Sequence, residues 1–143
     1  MSPLPSWLAA VLALLPGVAV AAEYGPAVHY ALECQGCHRV DGQGTPGSVP
    51  ALAGFAARFL AVPGGREYLV RVPGVAQAPL DDAAVAAVLE WMLRRFDPEH
   101  LPPDHQPYTP EEVGRLRRSP LTDVRGERAR LVAAMDAVRG RGE

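Results

Sequence analysis

The sequence of 143 residues predicts an all-α fold, and two patterns carry that prediction. Apolar residues recur at helical spacing in the stretches 27–37, 81–96 and 110–139, and no pair of neighbouring segments alternates apolar and polar residues as paired strands do. The chain also holds 14 Gly and 15 Pro, many of them between these stretches, where they favour loops. At this length we expect one small domain with an appendage.

The first 22 residues have the features of a removable export signal. An apolar run from Trp7 to Leu15 is followed by the helix breakers Pro16 and Gly17, and small residues occupy positions 19–22, where cleavage would occur. The apolar stretch is about 14 residues long, shorter than the roughly 20 that a membrane-spanning helix needs. A buried helix and an uncleaved anchor are the alternatives. We therefore expect a signal peptide over residues 1–22, a periplasmic mature chain and no transmembrane segment after cleavage.

Residues 23–96 are expected to form the main helical domain. Its strongest element is a helix over Asp81–Phe96, with two acidic residues at its positive end and an apolar stripe that includes Leu89 and Met92. The other expectations for this domain are, in chain order, a helix over Ala27–Cys37, a loop over Arg39–Pro50, a short turn of helix over Phe55–Leu60, a short helix or strand over Arg66–Val72, and a loop over Pro73–Pro79.

Two further segments are expected to follow the main domain. Four prolines within residues 97–109 predict a stiff connector. Thr109-Pro110-Glu111-Glu112 then matches a capping box, with proline in the first helical position. We expect a helical C-terminal extension over residues 110–143, with one helix near 110–118 and another near 122–139.

Cys34-Gln35-Gly36-Cys37-His38 is a C-x-x-C-H motif, the pattern of covalent haem attachment in c-type proteins. Two thiols three positions apart on a helical turn can each reach one haem vinyl group and form a thioether, and the next residue places an imidazole beneath the iron. The motif therefore predicts one covalent haem c bound through Cys34 and Cys37, with His38 as the axial metal ligand. A thioredoxin-like redox pair, half of a zinc site with His29, and a plain disulfide are the alternatives. The export signal favours haem, because thioether formation belongs to the far side of the membrane.

Beyond this motif, residues 24–96 resemble the class I cytochrome c family. Tyr30 lies four residues before the first cysteine, where that family carries an aromatic residue, and Pro50-Ala51-Leu52-Ala53-Gly54 matches its P-x-L-x-G stretch. Trp91 matches the aromatic residue of the last helix that crosses the first helix near Tyr30. The resemblance implies a cytochrome c-like haem domain, in which the Pro50 carbonyl accepts a hydrogen bond from the second ring nitrogen of His38.

The sequence departs from that family on the distal side of the iron. The family places a methionine followed by a proline in the loop before the last helix, and here Ala78 occupies the methionine position, followed by Pro79. Gln77 is the only polar side chain of this loop able to reach inward, so we expect it to lie nearest the distal face of an open site. The other candidates for a sixth ligand are Met92 and Met135, which helical spacing favours as core residues, and His100 and His105, which are expected at the surface.

These features predict a periplasmic monohaem electron carrier with no catalytic residues, working with redox partner proteins of a dehydrogenase or respiratory system. A net charge of −2 does not mark the chain as a nucleic-acid binder. The C-terminal extension is a candidate docking element. An open-site haem protein that binds or senses a small ligand is the alternative function. The candidate partners for the haem carboxylates are Arg58, Arg66 and Arg71.

Overall fold

The computed structural model describes residues 24–140, so the predicted signal peptide over 1–22 lies outside the described residues. This part of the chain is helical, which confirms the all-α prediction, and an isolated antiparallel bridge joins Thr45 to Val49. Within the same residues, no helix combines the length and the apolar character needed to cross a membrane. The helices are α1 (Pro26–Glu33), α2 (Gln35–His38), a 3₁₀ helix (Ala56–Ala61), α3 (Gly65–Arg71), α4 (Pro73–Ala76), α5 (Asp82–Phe96), a second 3₁₀ helix (Pro98–His100), α6 (Pro110–Leu116) and α7 (Val124–Arg139).

Aromatic side chains join α1 to α5. The ring centroid of the buried Tyr30 lies 5.2 Å from that of Trp91 and 5.1 Å from that of Phe96. The Tyr30 hydroxyl donates a hydrogen bond to the Arg39 carbonyl at 2.7 Å, so the polar end of this buried ring is satisfied. The first and last helices of the main domain therefore cross at Tyr30 and Trp91, as the resemblance implied.

The helix predicted over Ala27–Cys37 is interrupted at Cys34, where φ is −120°. Helix α1 ends one residue earlier and α2 begins one residue later. The Cys34 carbonyl still accepts the N–H groups of Cys37 at 3.2 Å and His38 at 3.0 Å. The interruption therefore changes the chain direction while it keeps the three motif side chains on one turn.

Two glycines allow the predicted loop over Arg39–Pro50 to fold closely onto the domain. Gly42 and Gly44 have φ values of +72° and +67°, in the left-handed region that favours glycine. A Cβ atom at Gly42 would lie 2.9 Å from the Phe96 ring, and one at Gly44 would lie 2.6 Å from the Pro50 carbonyl oxygen. The loop thus packs against α5 and directly behind Pro50.

The segment before α5 contains more helix than the sequence predicted. The helix-or-strand alternative over Arg66–Val72 is resolved as helix α3, and the predicted loop over Pro73–Pro79 opens with the helical turn α4. Proline is well suited to the first position of a helix, and the Val72 carbonyl accepts the N–H groups of both Val75 and Ala76 at 2.9 Å. As a result, the irregular part of this segment is only a few residues long.

The C-terminal extension packs on the main domain. Val113 of α6 and Leu131 of α7 are fully buried, and the hydroxyl of the buried Tyr108 donates to the Arg66 carbonyl at 2.9 Å. The spacing of apolar residues along the extension also predicts a single packed face for Val113, Leu131 and Val138, but Val138 is 48% exposed. The packed face of α7 therefore ends before its last turn.

Buried carboxylates anchor the proline-rich connector. Asp97 is almost fully buried, accepts the Ala57 N–H at 2.8 Å and contacts the ring of His100. Glu90 contacts Nε2 of His105 at 2.8 Å, and the His105 side chain is only 4% exposed. The expectation that His105 lies at the surface is therefore wrong, because a carboxylate of α5 draws its ring inward.

Candidate functional site

The two thiols and the imidazole of the C-x-x-C-H motif line one cavity. Cys34 is half-buried, Cys37 is exposed, and both are free thiols. Burial, with contributions from Glu33 and Cys37, raises the pKa of the Cys34 thiol. A raised pKa is the opposite of the activated thiolate on which redox-active cysteine pairs depend, so this site does not favour the redox-pair alternative.

His38 is held by one ring nitrogen, which leaves the other available to a metal. Its Nδ1 lies 3.1 Å from the Pro50 carbonyl oxygen, and a carbonyl can only accept, so Nδ1 carries the proton and donates it. The lone pair of Nε2 is then available for coordination. Burial lowers the pKa of His38, which favours the neutral imidazole that binds metals.

Gly44 contacts both His38 and Pro50 and so helps to fix the position of the imidazole. Its N–H donates to the His38 carbonyl at 3.0 Å, and its α-carbon lies so close to Pro50 that a side chain would collide with the Pro50 oxygen. The position of the Pro50 carbonyl, and with it the orientation of the imidazole, thus depends on a residue without a side chain.

The cavity has a volume of about 330 Å³ and mostly apolar walls. Residues of α1, α2, the first 3₁₀ helix, α3, α4, α5 and α7 line it, and its charged lining is limited, among the described residues, to Glu33 and Arg128. Two thiols and a neutral imidazole at the edge of an apolar cavity fit a large flat apolar group that carries a metal ion at its centre. The residues present therefore fit a covalent haem.

The zinc alternative finds no support in the described part of the chain. No group of three or more His, Cys, Asp or Glu side chains there could hold a metal ion. His29 is not among the cavity-lining residues, and its ring lies 6.2 Å from that of Tyr24 in an edge-on arrangement. His29 therefore does not complete a site with the two cysteines.

Gln77 does not occupy the position that the sequence predicted. It is exposed at the end of α4 and is not among the residues that line the cavity. The reason lies in Arg117 of the extension, whose guanidinium donates to the carbonyls of Ala76 at 3.1 Å, Ala78 at 2.6 Å and Leu80 at 2.7 Å. These bonds hold the segment with its carbonyls toward the extension and leave Gln77 in solvent.

Of the other candidates for a distal ligand, Met92 alone reaches the cavity, and it is buried in the core as expected. Met135 and His100 line a separate apolar groove of about 320 Å³ between the first 3₁₀ helix and α7. His105 is held by Glu90. The structure thus brings together Cys34, Cys37, His38 and Pro50, and leaves out Gln77.

Sequence reasoning missed the contribution of α7 to the site. Val124 and Arg128 line the cavity, whereas Arg58, Arg66 and Arg71, the arginines proposed from the sequence, do not. These three donate elsewhere: Arg58 to the Gly54 carbonyl, Arg66 to Glu112 and Arg71 to the Ser119 carbonyl. The only local signal was the spacing of four between positions 124 and 128, which places both on one face of a helix.

Comparison with known proteins gives matches over the same region. The sequence profile of the cytochrome c family matches residues 22–95. A cytochrome c-552 of Thermus thermophilus is 37% identical over 138 residues, which cover 82% of this chain and 92% of that protein. A second cytochrome c-552 of the same species is 38% identical over 119 residues, which cover 69% of this chain and 91% of that protein. A match over 82% of the chain is longer than residues 1–109, so the first likeness reaches into the C-terminal extension.

Proposed function

Because this chain belongs to the cytochrome c family and binds covalent haem c, we propose that it carries single electrons between periplasmic redox proteins of a dehydrogenase or respiratory system. The observation that supports this most directly is the apolar cavity with two thiols and a neutral imidazole at its edge. Bound haem supplies a one-electron couple between ferric and ferrous iron. The chain itself is an electron-transfer protein and not an enzyme.

Each cavity residue has a separate task in holding the group. Cys34 and Cys37 would hold the haem through thioether bonds, each formed when the sulfur bonds to one carbon of a vinyl group and the thiol proton goes to the other. His38 would offer Nε2 to the iron, and the Pro50 carbonyl keeps its ring in one orientation. Arg128, the only arginine among the described cavity-lining residues, would pair with a haem carboxylate.

The attachment is tested by extraction and by one pair of variants. In acidified acetone the colour should stay with the wild-type protein, and a redox titration should follow a single one-electron curve. The double variant Cys34→Ala with Cys37→Ala should lose the covalent haem, while Gly36→Ala, where a new Cβ meets no atom within 4 Å, should keep it. Haem that comes free from the wild type would contradict the proposal.

We place partner docking on α1 and not on the extension. Four of the five exposed large apolar side chains in the described residues belong to the segment that carries the haem motif: Tyr24, Val28, Leu32 and Val40. Val28 and Leu32 are four positions apart on α1 and so lie on one side of it, and Tyr24 directly precedes the helix; these three exposed side chains are the apolar stripe. The extension, in contrast, packs most of its large apolar side chains against the main domain, and Val138 is the exposed one among its described residues. The stripe suits a partner with an apolar docking surface that meets the protein briefly beside the exposed Cys37.

This docking surface can be tested with two variants, each of which replaces an exposed apolar side chain with aspartate. Reduced wild-type protein is mixed with membranes of the source organism, and the rate of haem oxidation is recorded. Leu32→Asp should slow oxidation by about tenfold, since it places a charge in the stripe. Val138→Asp changes the fifth exposed apolar residue, at the far end of α7, and should leave the rate unchanged. Equal rates for both variants would place docking elsewhere.

A further inference from the structure

The cavity wall that faces the haem lacks a strong second iron ligand. Among the described cavity-lining residues, His38 is the only histidine and there is no lysine. Apart from the thioether cysteines, the other side chains with an atom suited to bind iron are Met92, Tyr68 and Glu33, and Glu33 directly precedes Cys34 on the side of the haem motif. We propose that the iron has an open sixth position and binds a small neutral diatomic gas, carbon monoxide or nitric oxide. This inference rests on the covalent haem of the proposed function.

Neither Met92 nor Tyr68 is well placed to close the site. Met92 is buried on α5 among Val88, Leu89 and Leu93, and its place in this apolar row fits core packing. The Tyr68 ring stacks on Phe59 with the centroids 4.7 Å apart, and burial raises the pKa of its hydroxyl. A raised pKa disfavours the phenolate form in which tyrosine binds ferric iron.

The chemistry of the α3–α4 wall decides which kind of ligand is accepted. Val72, Pro73, Gly74 and Val75 line the cavity with apolar side chains or none. Pro73 has no N–H, and the Val75 N–H already donates to the Val72 carbonyl. Oxygen, peroxide and anions gain from hydrogen-bond donors beside the iron, whereas carbon monoxide and nitric oxide do not need them. The donors in this wall are the Gly74 N–H, in the first turn of α4, and the Tyr68 hydroxyl of α3, and carbon monoxide and nitric oxide are the ligands that depend on neither.

Arg117 keeps this wall in place. Its bonds to the carbonyls of Ala76, Ala78 and Leu80 are joined by one to the Asp82 carboxylate at 3.1 Å, and its side chain is only 15% exposed. With the segment tied at both ends, Gln77 cannot swing toward the iron without breaking several of these bonds. The open position is thus a property of the folded chain and not of one side-chain rotamer.

The test is a carbon monoxide titration of the reduced protein, followed by its absorption spectrum. Wild type should bind the gas with a clear shift of the main haem band. Val75→Met places a thioether in the wall and should weaken binding by about tenfold or more. Val40→Met adds the same side chain at a position that is 71% exposed and outside the cavity, and should bind as wild type does.

Two outcomes would overturn the inference, and both differ from failure of the proposed function. A wild type that ignores carbon monoxide and shows the near-infrared band of methionine-ligated ferric haem, lost in Met92→Leu, would make Met92 the ligand. A wild type that ignores the gas without that band would assign the position to another side chain. Loss of haem in acidified acetone would instead contradict the covalent attachment itself.

Discussion

Arg66 and Glu112 form a two-pronged ion pair that joins α3 of the main domain to α6 of the extension. The Nε–Oε1 and Nη2–Oε2 distances are both 2.6 Å. The same guanidinium donates to the carbonyls of Gln106 and Pro107 and lies 4.0 Å from the centroid of the Tyr108 ring. Although Glu112 occupies the capping-box position that the sequence indicated, its side chain turns to Arg66. Only the Thr109 half of the box, which accepts the Glu112 N–H at 3.2 Å, is present.

Breaking this pair should destabilise the protein in a pH-dependent way. The hydrogen bond from Arg66 lowers the pKa of Glu112, so the pair stabilises the fold above the unfolded-state pKa of about 4.3 and loses its effect as pH falls through the lower folded value. Glu112→Gln should lower the free energy of unfolding by about 1–2 kcal/mol at pH 7, and by less at pH 3. Urea unfolding at both pH values measures this. Glu111→Gln, exposed in the same helical turn, is the matched control.

Removing Arg117 should loosen the segment before α5. Arg117→Ala leaves three backbone carbonyls without their donor, and we expect amide exchange at residues 76–80 to become about tenfold faster, together with a loss of about 2 kcal/mol of stability. Hydrogen-exchange mass spectrometry of the holoprotein resolves this segment. Arg118→Ala removes the same charge from the exposed neighbour and should leave exchange there unchanged. If the amides of residues 76–80 exchange at the same rate in both variants, Arg117 does not hold this segment in place.

A substitution at Gly44 should alter the axial imidazole without touching it. The Cβ of Gly44→Ala would push the Pro50 carbonyl away from Nδ1 of His38, so the imidazole would donate less electron density to the iron. The reduction potential should therefore rise, by tens of millivolts as an order of magnitude. Gly47→Ala imposes a similar backbone strain, at φ +80°, with no atom within 4 Å of the new Cβ. Equal reduction potentials for the two variants would show that the Pro50 contact does not set the reduction potential of the haem.

Arg128 should raise the reduction potential, because a positive charge in the cavity wall favours the reduced haem. Arg128→Gln is expected to make the free energy of haem reduction less favourable by about 1 kcal/mol, which lowers the reduction potential by about 40 mV for a one-electron couple. Arg125→Gln removes the same charge from an exposed position of α7 and should have a much smaller effect. Spectroelectrochemical titration of both variants at one ionic strength makes the comparison. A shift shared equally by the two would reflect net charge and not the cavity.

The parts of the fold that could be predicted from sequence are those with local causes. Helical spacing and the Asp81 cap define α5 within one residue, since the Asp81 carboxylate accepts the Ala84 N–H at 2.7 Å. The haem motif needs only five consecutive residues. The turn α4, in contrast, was predicted as a loop, because the glycine and the prolines of Pro73–Pro79 outweighed the suitability of Pro73 for starting a helix.

The errors arose where residues far apart in the chain meet. Gln77 faces solvent because Arg117, about 40 positions later, binds the carbonyls around it. His105 is buried because Glu90 lies across from the connector. Arg128 enters the cavity wall because α7 packs over the main domain. Helical spacing predicts which face of a helix is buried, but not which element covers that face, so none of these three positions could be read from the local sequence.

The placement of Val124 and Arg128 in the cavity wall has a consequence for the order of assembly. Both belong to α7, so the wall is complete only after α7 has docked on the main domain. We expect the thiols of Cys34 and Cys37 to receive their group while the pocket is still open on that side. We expect α7 to dock last, and a protein that has failed to acquire its cofactor to expose this helix to proteases.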